Sequence, residues 1–421
     1  MRKKEMFQVA VKDMRSYAWT FVRWALMGAV VGLCGGVIGA VFSKCVAWAT
    51  TAREANSWFL YLLPVGGLAI VALYRLCRVS GVGTNEVFHG VRTEKGVSVL
   101  LAPAIFIGTV ITHLFGGSAG REGAALQLGG SVASLFGRAF RLSEKDRHIL
   151  TMCGMSAVFA AVFGTPMGAC VFAVEVVFVG RLLSAALFPC MISSVTAFGT
   201  AKLLGAHAEH FNVKMIPQFG ADSLWRVAVV AIIGAFVSIL FCWVMHTGAH
   251  LFKRYFKNEF VRVAVGGAMI IVLSLVLGTT DYNGGGMHVI ERVFDEGVVN
   301  PEAFLLKMLF TSITIGAGYK GGEIVPTLFI GSTMGGTVAL LIGMDPAFGA
   351  AVGIAALFCG VTNCPLTTIL LCVELFGGEG AIFYMIAALI SFLLSGYFSL
   401  YSGQEMVFSK LGDDEVHRFG H

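Results

Sequence analysis

The sequence predicts an all-α polytopic membrane protein, a duplicated unit of tilted and partly re-entrant helices. Three observations predict it. Of the 421 residues, 57% are hydrophobic and only 13% charged, where a soluble domain carries about 25% charge; the mean hydropathy is +0.80. Runs free of Asp, Glu, Lys and Arg cover 25–43, 97–120, 148–174, 227–252, 263–280, 324–344 and 380–403. Each is long enough, or nearly so, to cross roughly 30 Å of hydrocarbon at 1.5 Å per residue. Finally, Gly154-Met155-Ser156-Ala157-Val158-Phe159, followed by Val162, Pro166 and Glu175, returns 199 positions later as Gly353-Ile354-Ala355-Ala356-Leu357-Phe358, followed by Val361, Pro365 and Glu374. Duplicated broken helices in a membrane protein mark the substrate site.

The first segment, 1–20, is a basic leader. Arg2, Lys3, Lys4, Lys12 and Arg15, with Arg23 beyond, precede the first long apolar run and predict a cytoplasmic N-terminus with no cleavable signal. The first membrane repeat is expected over 21–205 and the second over 206–412, with a short tail at 413–421. The link between the repeats is polar and aromatic, Ala206-His207-Ala208-Glu209-His210-Phe211. Basic blocks at 138–147 and 253–262, with the leader, hold most of the net charge of +5. Topogenesis accounts for it, and nothing points to nucleic acid. Prolines 166, 326, 346 and 365 divide apolar stretches such as 331–344 and 346–358 into pieces of about half a bilayer plus a turn, which suits re-entrant helices. The ten cysteines show no metal-ligand spacing, and Cys153, Cys170 and Cys372 read as small buried hydrophobes. No metal or cofactor is expected.

Four constellations carry chemistry. In Gly117-Ser118-Ala119-Gly120-Arg121-Glu122-Gly123 a carboxylate opens a helix after an uncharged run of 24 residues. Ionisable groups at membrane depth are costly and usually functional. At a helix start, Glu122 meets exposed N–H groups and the positive dipole end. It can yield that position to an anion, or be protonated; together the two couple an anion to a proton. The bland alternative is an interfacial Arg-Glu cap. Gly318-Tyr319-Lys320-Gly321-Gly322-Glu323-Ile324-Val325-Pro326 is the second copy, with Glu323 placed 201 residues after Glu122. Pro326 falls in the first turn, where a missing N–H costs little. In Gly81-Val82-Gly83-Thr84-Asn85, glycines let backbone N–H groups face an anion, or form a plain loop. Tyr401, near the end of an apolar helix, can donate to an anion or serve as an interfacial tyrosine.

In this order, these elements resemble the CLC family of anion channels and proton-coupled anion antiporters, from about residue 20 to 412. Gly120-Arg121-Glu122-Gly123 matches the family's Gly-(Lys/Arg)-Glu-Gly motif, which implies that Glu122 is the external gate and proton carrier. Gly81-Val82-Gly83-Thr84-Asn85 stands where the family has Gly-Ser-Gly-Ile-Pro. Tyr401 falls at the anion-coordinating tyrosine, and Gly322-Glu323-Ile324-Val325-Pro326 at the Gly-x-Phe-x-Pro helix start. By resemblance, the anion-binding set is Gly81, Val82, Gly83, Thr84, Asn85, Arg121, Gly123, Ile324, Val325 and Tyr401, with Glu323 as a central acid. The resemblance further implies a CLC-type inverted repeat and a homodimer with one pore per subunit.

Three departures are informative. Val82 replaces the family's anion-coordinating serine. Val176 stands where chloride/proton exchangers carry an internal glutamate. Glu323 adds an acid where chloride transporters are apolar. This combination resembles the fluoride-exporting branch, although that branch typically has methionine at position 82 and threonine at 325. The expected function is proton-coupled fluoride export; the alternative is a chloride/proton antiporter or chloride channel of the same family. The expected partners are fluoride or chloride, protons and the bilayer, and the expected location a prokaryotic plasma membrane. A membrane enzyme is not expected, because His113, His246 and His250 lack a Ser, Cys or Asp partner at recognisable spacing.

Overall fold

Apolar runs broken by proline and glycine fold into many short helices rather than a few long spans. The structure, a computed structural model, describes residues 2–93, 96–206, 208–412 and 414–420, with the side chains of 1–13 and 15 left aside. The leader charges Arg2, Lys3, Lys4, Lys12 and Arg15, and His207 of the link, therefore lie outside the described side chains.

The first half contains α1 (Arg2–Ala55), a 3-10 turn (Ser57–Leu62), α2 (Leu63–Leu76), α3 (Thr84–Arg92), α4 (Leu101–Leu114), α5 (Glu122–Ala139), α6 (Glu144–Phe163), α7 (Pro166–Glu175) and α8 (Ser184–Leu203). The second contains α9 (Ala221–Tyr255), α10 (Glu259–Leu277), α11 (Met287–Glu296), α12 (Ala303–Ala317), α13 (Ile324–Leu341), α14 (Pro346–Thr362), α15 (Pro365–Phe376) and α16 (Ala381–Leu394). Among the described residues, six helical stretches are long and apolar enough to span a bilayer. Large apolar side chains such as Phe21, Leu33, Phe236 and Val276 point outward, as a lipid-facing surface requires.

Glycine sets how closely the helices approach. A methyl group at Gly129 of α5 or Gly154 of α6 would strike the other residue's carbonyl, and Gly331 of α13 faces Gly353 of α14 in the same way. Such contact between backbones is the usual reason for small residues at membrane helix crossings. The repeated glycines, 154 and 353, thus occupy matching crossings. The repeated phenylalanines also converge: Phe159 and Phe358 lie 5.4 and 6.0 Å from the Phe172 ring.

The repeated Pro-to-Glu blocks become α7 and α15. Proline occupies the first turn of each, and the closing glutamate of each caps the start of the other. Glu175 accepts from Leu366 N at 3.1 Å, Thr367 N at 2.8 Å and Thr367 Oγ1 at 2.6 Å. Glu374 accepts from Met167 N and Gly168 N, both at 2.8 Å. A helix that begins inside the membrane has N–H groups without water, and a carboxylate satisfies them along the dipole.

Three short strands add to the helical expectation. β1 (Phe178–Val179) pairs in parallel with β2 (Glu405–Phe408), which pairs antiparallel with β3 (Glu415–Phe419). The segment expected only as a tail after 412 is therefore stitched to the middle of the chain. Strands of two to five residues, one of them paired over 200 residues away, leave no local periodicity to read.

Glu374→Ala is expected to destabilise the protein by about 3 kcal/mol, the order for losing two hydrogen bonds to a charged acceptor, and Glu374→Gln by less. Thermal melting of purified protein in detergent checks this; an unchanged midpoint in the alanine variant contradicts the capping role.

Candidate functional site

The two glycine-rich turns, 116–121 and 318–323, meet at the centre. Gly120 N donates to Gly322 O at 2.7 Å, and Gly322 N to Gly120 O at 2.8 Å. Glycine is required at Gly322, because a Cβ there would collide with Gly123 N and Cα. Each turn is also held by a threonine of the opposite half. Ser118 N donates to Thr314 Oγ1 at 3.0 Å, and Lys320 N to Thr112 Oγ1 at 3.2 Å.

From these turns α5 and α13 begin. Glu122 is fully buried; its Oε2 accepts from Arg121 N at 3.1 Å and its Oε1 from Arg121 Nε at 3.3 Å. Arg121 Nη2 in turn donates to Glu209 Oε1 at 2.6 Å. The Glu122 carboxylate folds back toward Gly120 and Val325: an ideal Cβ at Gly120 would lie 3.0 Å from both Glu122 Oε2 and Val325 Cβ. Glu323 leans the other way, with its Oε2 beside Gly123. That oxygen is buried and has no hydrogen-bond partner. Tyr401 OH, within electrostatic reach of both acids, is likewise buried and unpartnered, as is Gln127 Oε1 one turn along α5 from Gly123. Buried polar atoms without partners are uncommon in folded proteins, and these three lie on or beside the elements that carry the two acids.

Two cavities lie on opposite faces. One, about 260 Å³, reaches Gly120, Arg121 and Val325 from the face where α1 ends, and its walls include Arg53, His113 and Glu209. The other, about 600 Å³, opens on the face carrying the basic loops, between Gly81, Gly83, Asn85, Arg92, Ser402 and Glu405. A Cβ at Gly81 or Gly83 would meet open space, so the turn presents bare backbone to the second cavity.

The structure brings Glu122, Gly123, Glu323, Ile324, Val325 and Tyr401 together, and places 81–85 at the mouth on the basic face. Three of the expected anion contacts have hydrogen-bond partners within the protein. Asn85 uses both ends of its amide, donating to Ser402 Oγ at 2.9 Å and accepting from Gly403 N at 2.8 Å. Thr84 Oγ1 accepts from Gln127 Nε2 at 3.0 Å, inside the helix packing. Arg121 is occupied by two carboxylates, which neutralise it. Val82 is half-buried and contributes an apolar side chain.

Other charges were not singled out from sequence. Lys307, fully buried in α12, donates to Gly284 O at 2.7 Å and Tyr282 O at 3.1 Å and lies 5.0 Å above the Phe329 ring. Arg53, 7% exposed, has its Nη1 buried without a partner. Both cations reach the loop at Gly284 and hold positive potential behind the first cavity. A lone lysine in the apolar run of α12 was the available signal for Lys307; Arg53 stands beside Glu54 and gave none.

Six apolar spans, paired helix starts at the centre and a cavity reaching them define a multi-pass membrane protein with a buried acidic site. A family model described as voltage gated chloride channel matches residues 65–396, and the chain belongs to this family, the CLC family. It is 34% identical over 396 residues to a chloride/fluoride channel protein of Pseudomonas syringae pv. tomato, covering 92% of this chain and 87% of that one. It is 26% identical over 414 residues to the H(+)/Cl(−) exchange transporter ClcA of Vibrio cholerae, covering 89% and 85%. Among solved structures, a CLC-type fluoride/proton antiporter aligns with a TM-score of 0.88 at 31% identity, over 91% of this chain and 98% of that one. A slow cyanobacterial Cl−/H+ antiporter shares the fold, with a TM-score of 0.76 at 22% identity, over 89% and 94%.

At the rim of the first cavity, Asp281 accepts from Arg292 at 2.6 Å and His288 at 3.0 Å. Burial pushes its carboxyl up, but the Arg292 and His288 hydrogen bonds outweigh it and hold the group below its ordinary value. A depressed folded value means this contribution is present above the unfolded value of about 3.9 and is lost as pH falls through the folded one. Asp281→Asn should flatten the acid side of the melting temperature profile. Gly322→Ala, which overpacks the crossing, should cost about 3 kcal/mol, whereas Gly199→Ala, where a Cβ meets open space, should not lower the melting temperature.

Proposed function

We propose that the protein exchanges fluoride for protons across the membrane, exporting fluoride. The observation that carries this reading is Glu323 at the start of α13, its Oε2 buried without a donor beside the helix start that Glu122 occupies. An acid there either takes a proton or meets a hydrogen-bonding guest, because a bare buried carboxylate oxygen is costly. Fluoride is small and strongly hydrated, and it accepts strong hydrogen bonds from N–H and O–H groups. The backbone amides at the starts of α5 and α13, the Tyr401 hydroxyl and a protonated carboxyl are the donors to replace its water. The 34% identity to a chloride/fluoride channel protein and the 31% identity to a fluoride/proton antiporter support the same reading.

In this mechanism Glu122 alternates. Unprotonated, it folds onto the Arg121 amide at the start of α5 and closes the path. When an anion takes its place it swings toward the first cavity, picks up a proton and returns it to the opposite side. Val176 leaves no internal carboxylate at the family's position, so Glu323 takes part in the inner relay. No bond in the substrate is made or broken. The face carrying the basic loops is cytoplasmic by the positive-inside rule, in a prokaryotic plasma membrane, and the working unit is a homodimer with one path per subunit.

Val82 and Val325 favour a second reading, a chloride antiporter or channel, because neither side chain donates a hydrogen bond. Liposomes containing purified protein, followed with fluoride, chloride and pH electrodes, separate the two. Fluoride flux with opposed proton movement is expected. Glu122→Gln should lower proton movement about a hundredfold, the scale of losing a proton-transfer group, while anion flux continues. Preference for chloride, or fluoride flux without protons in the wild type, overturns the proposal.

A further inference from the structure

Beside the basic-face vestibule lies a second, smaller cavity that the transport path does not use. Its volume is about 50 Å³, and its walls include Tyr74, Ser80, Gly81, Glu259, Arg262 and Lys320. Its charge is unbalanced. Lys320 makes no ion pair or side-chain hydrogen bond among the described residues; its ammonium rests 4.2 Å from the Tyr74 ring centroid. Arg262 donates only its Nε, to Ala317 O at 3.2 Å, and its guanidinium also lies near Gly318. Glu259, the one acid on the wall, is already paired with Arg75 at 3.2 Å. Tyr74 is 3% exposed, and its hydroxyl is buried without a partner. Gly108 of α4 makes room for this group: a Cβ there would press on Lys320 Cβ and Cγ at 3.2 Å and on Tyr74 Cε2 at 3.4 Å.

We propose that this cavity holds one small monovalent anion, a halide, between the Lys320 ammonium, the Arg262 guanidinium and the Tyr74 hydroxyl, and loads it into the transport path. Two cations that make no ion pair among the described residues, and an unused O–H donor, line the same small space. Lys320 and Arg262 are half-buried, and two cations sharing one wall repel each other unless an anion joins them. Gly81 lines both this cavity and the larger vestibule, so the two abut at the turn that presents bare backbone to the path. Lys320 also stands three residues before Glu323 on the same turn, which brings a waiting anion close to the central acid.

The site does not depend on which halide is transported. The test uses full-length protein crystallised in sodium bromide, with anomalous scattering locating the ion, and liposome flux of both fluoride and chloride in parallel. In the wild type a bromide peak is expected within hydrogen-bonding distance of Lys320 Nζ, and it should vanish in Lys320→Met. For whichever anion the wild type moves, the basic-face concentration giving half-maximal flux should rise roughly tenfold in Lys320→Met, with the saturating rate unchanged and partial recovery in Lys320→Arg. Tyr74→Phe removes one oxygen and should raise it by a smaller factor, so the site stays testable if the lysine variant fails to fold. No peak in the wild type, or a peak that survives Lys320→Met, overturns the proposal. A peak without any change in half-saturation in the variants identifies an adventitious ion only and overturns the loading role. Chloride flux without fluoride flux would refute the fluoride reading above and leave this site standing.

Discussion

A backbone amide inside hydrocarbon has no water to turn to, and in this protein several helices begin there. The way their first N–H groups are satisfied organises the rest. At α7 and α15 the solution is permanent: Glu374 and Glu175 reach across from the opposite half and cap them. At α5 and α13 no side chain of the N-cap residue closes the end. There a movable glutamate, and in our reading an anion, supplies the negative charge. The same chemistry thus serves as a structural staple at two helix starts and, in our proposal, as an exchangeable ligand at the other two. Fixed caps hold the frame, and in our proposal Glu122 moves within it.

The reciprocity extends beyond the caps. Thr112 and Thr314 each hold the turn of the opposite half, and the Gly120–Gly322 pair joins the turns by two short hydrogen bonds. Neither half is complete without its counterpart, because hydrogen bonds from both halves set the central geometry. Charge is arranged differently in the two halves. Among the described residues Lys320, in the second turn, makes no ion pair, while Arg121, in the first, pairs with Glu122 and Glu209.

Much of the site was legible because its residues are local. Glu122 and Glu323 open α5 and α13 where a carboxylate following a glycine turn and preceding an apolar run would place a helix start. The repeated Gly, Phe, Pro and Glu marked positions that the structure uses for crossings, ring packing and caps. What escaped the sequence is made by pairings across hundreds of residues. Asn85 reads as a free amide until Ser402 and Gly403 are seen to occupy it. Tyr74, Arg262 and Lys320 come from α2, α10 and the second turn, and no spacing links them. Glu209 looked like a polar linker residue, yet it holds the guanidinium beside the gate.

The crossed caps also bear on how the chain is made. When α7 enters the bilayer, the carboxylate that will satisfy Met167 N lies 207 residues downstream. Until it arrives, that helix start waits with unmet donors in a medium that offers none. The N-terminal half therefore cannot reach its final form during its own synthesis; its short helices settle only when the last third of the chain has been inserted. A chain truncated before Glu374 leaves the Met167 and Gly168 amides without the acceptor that caps α7.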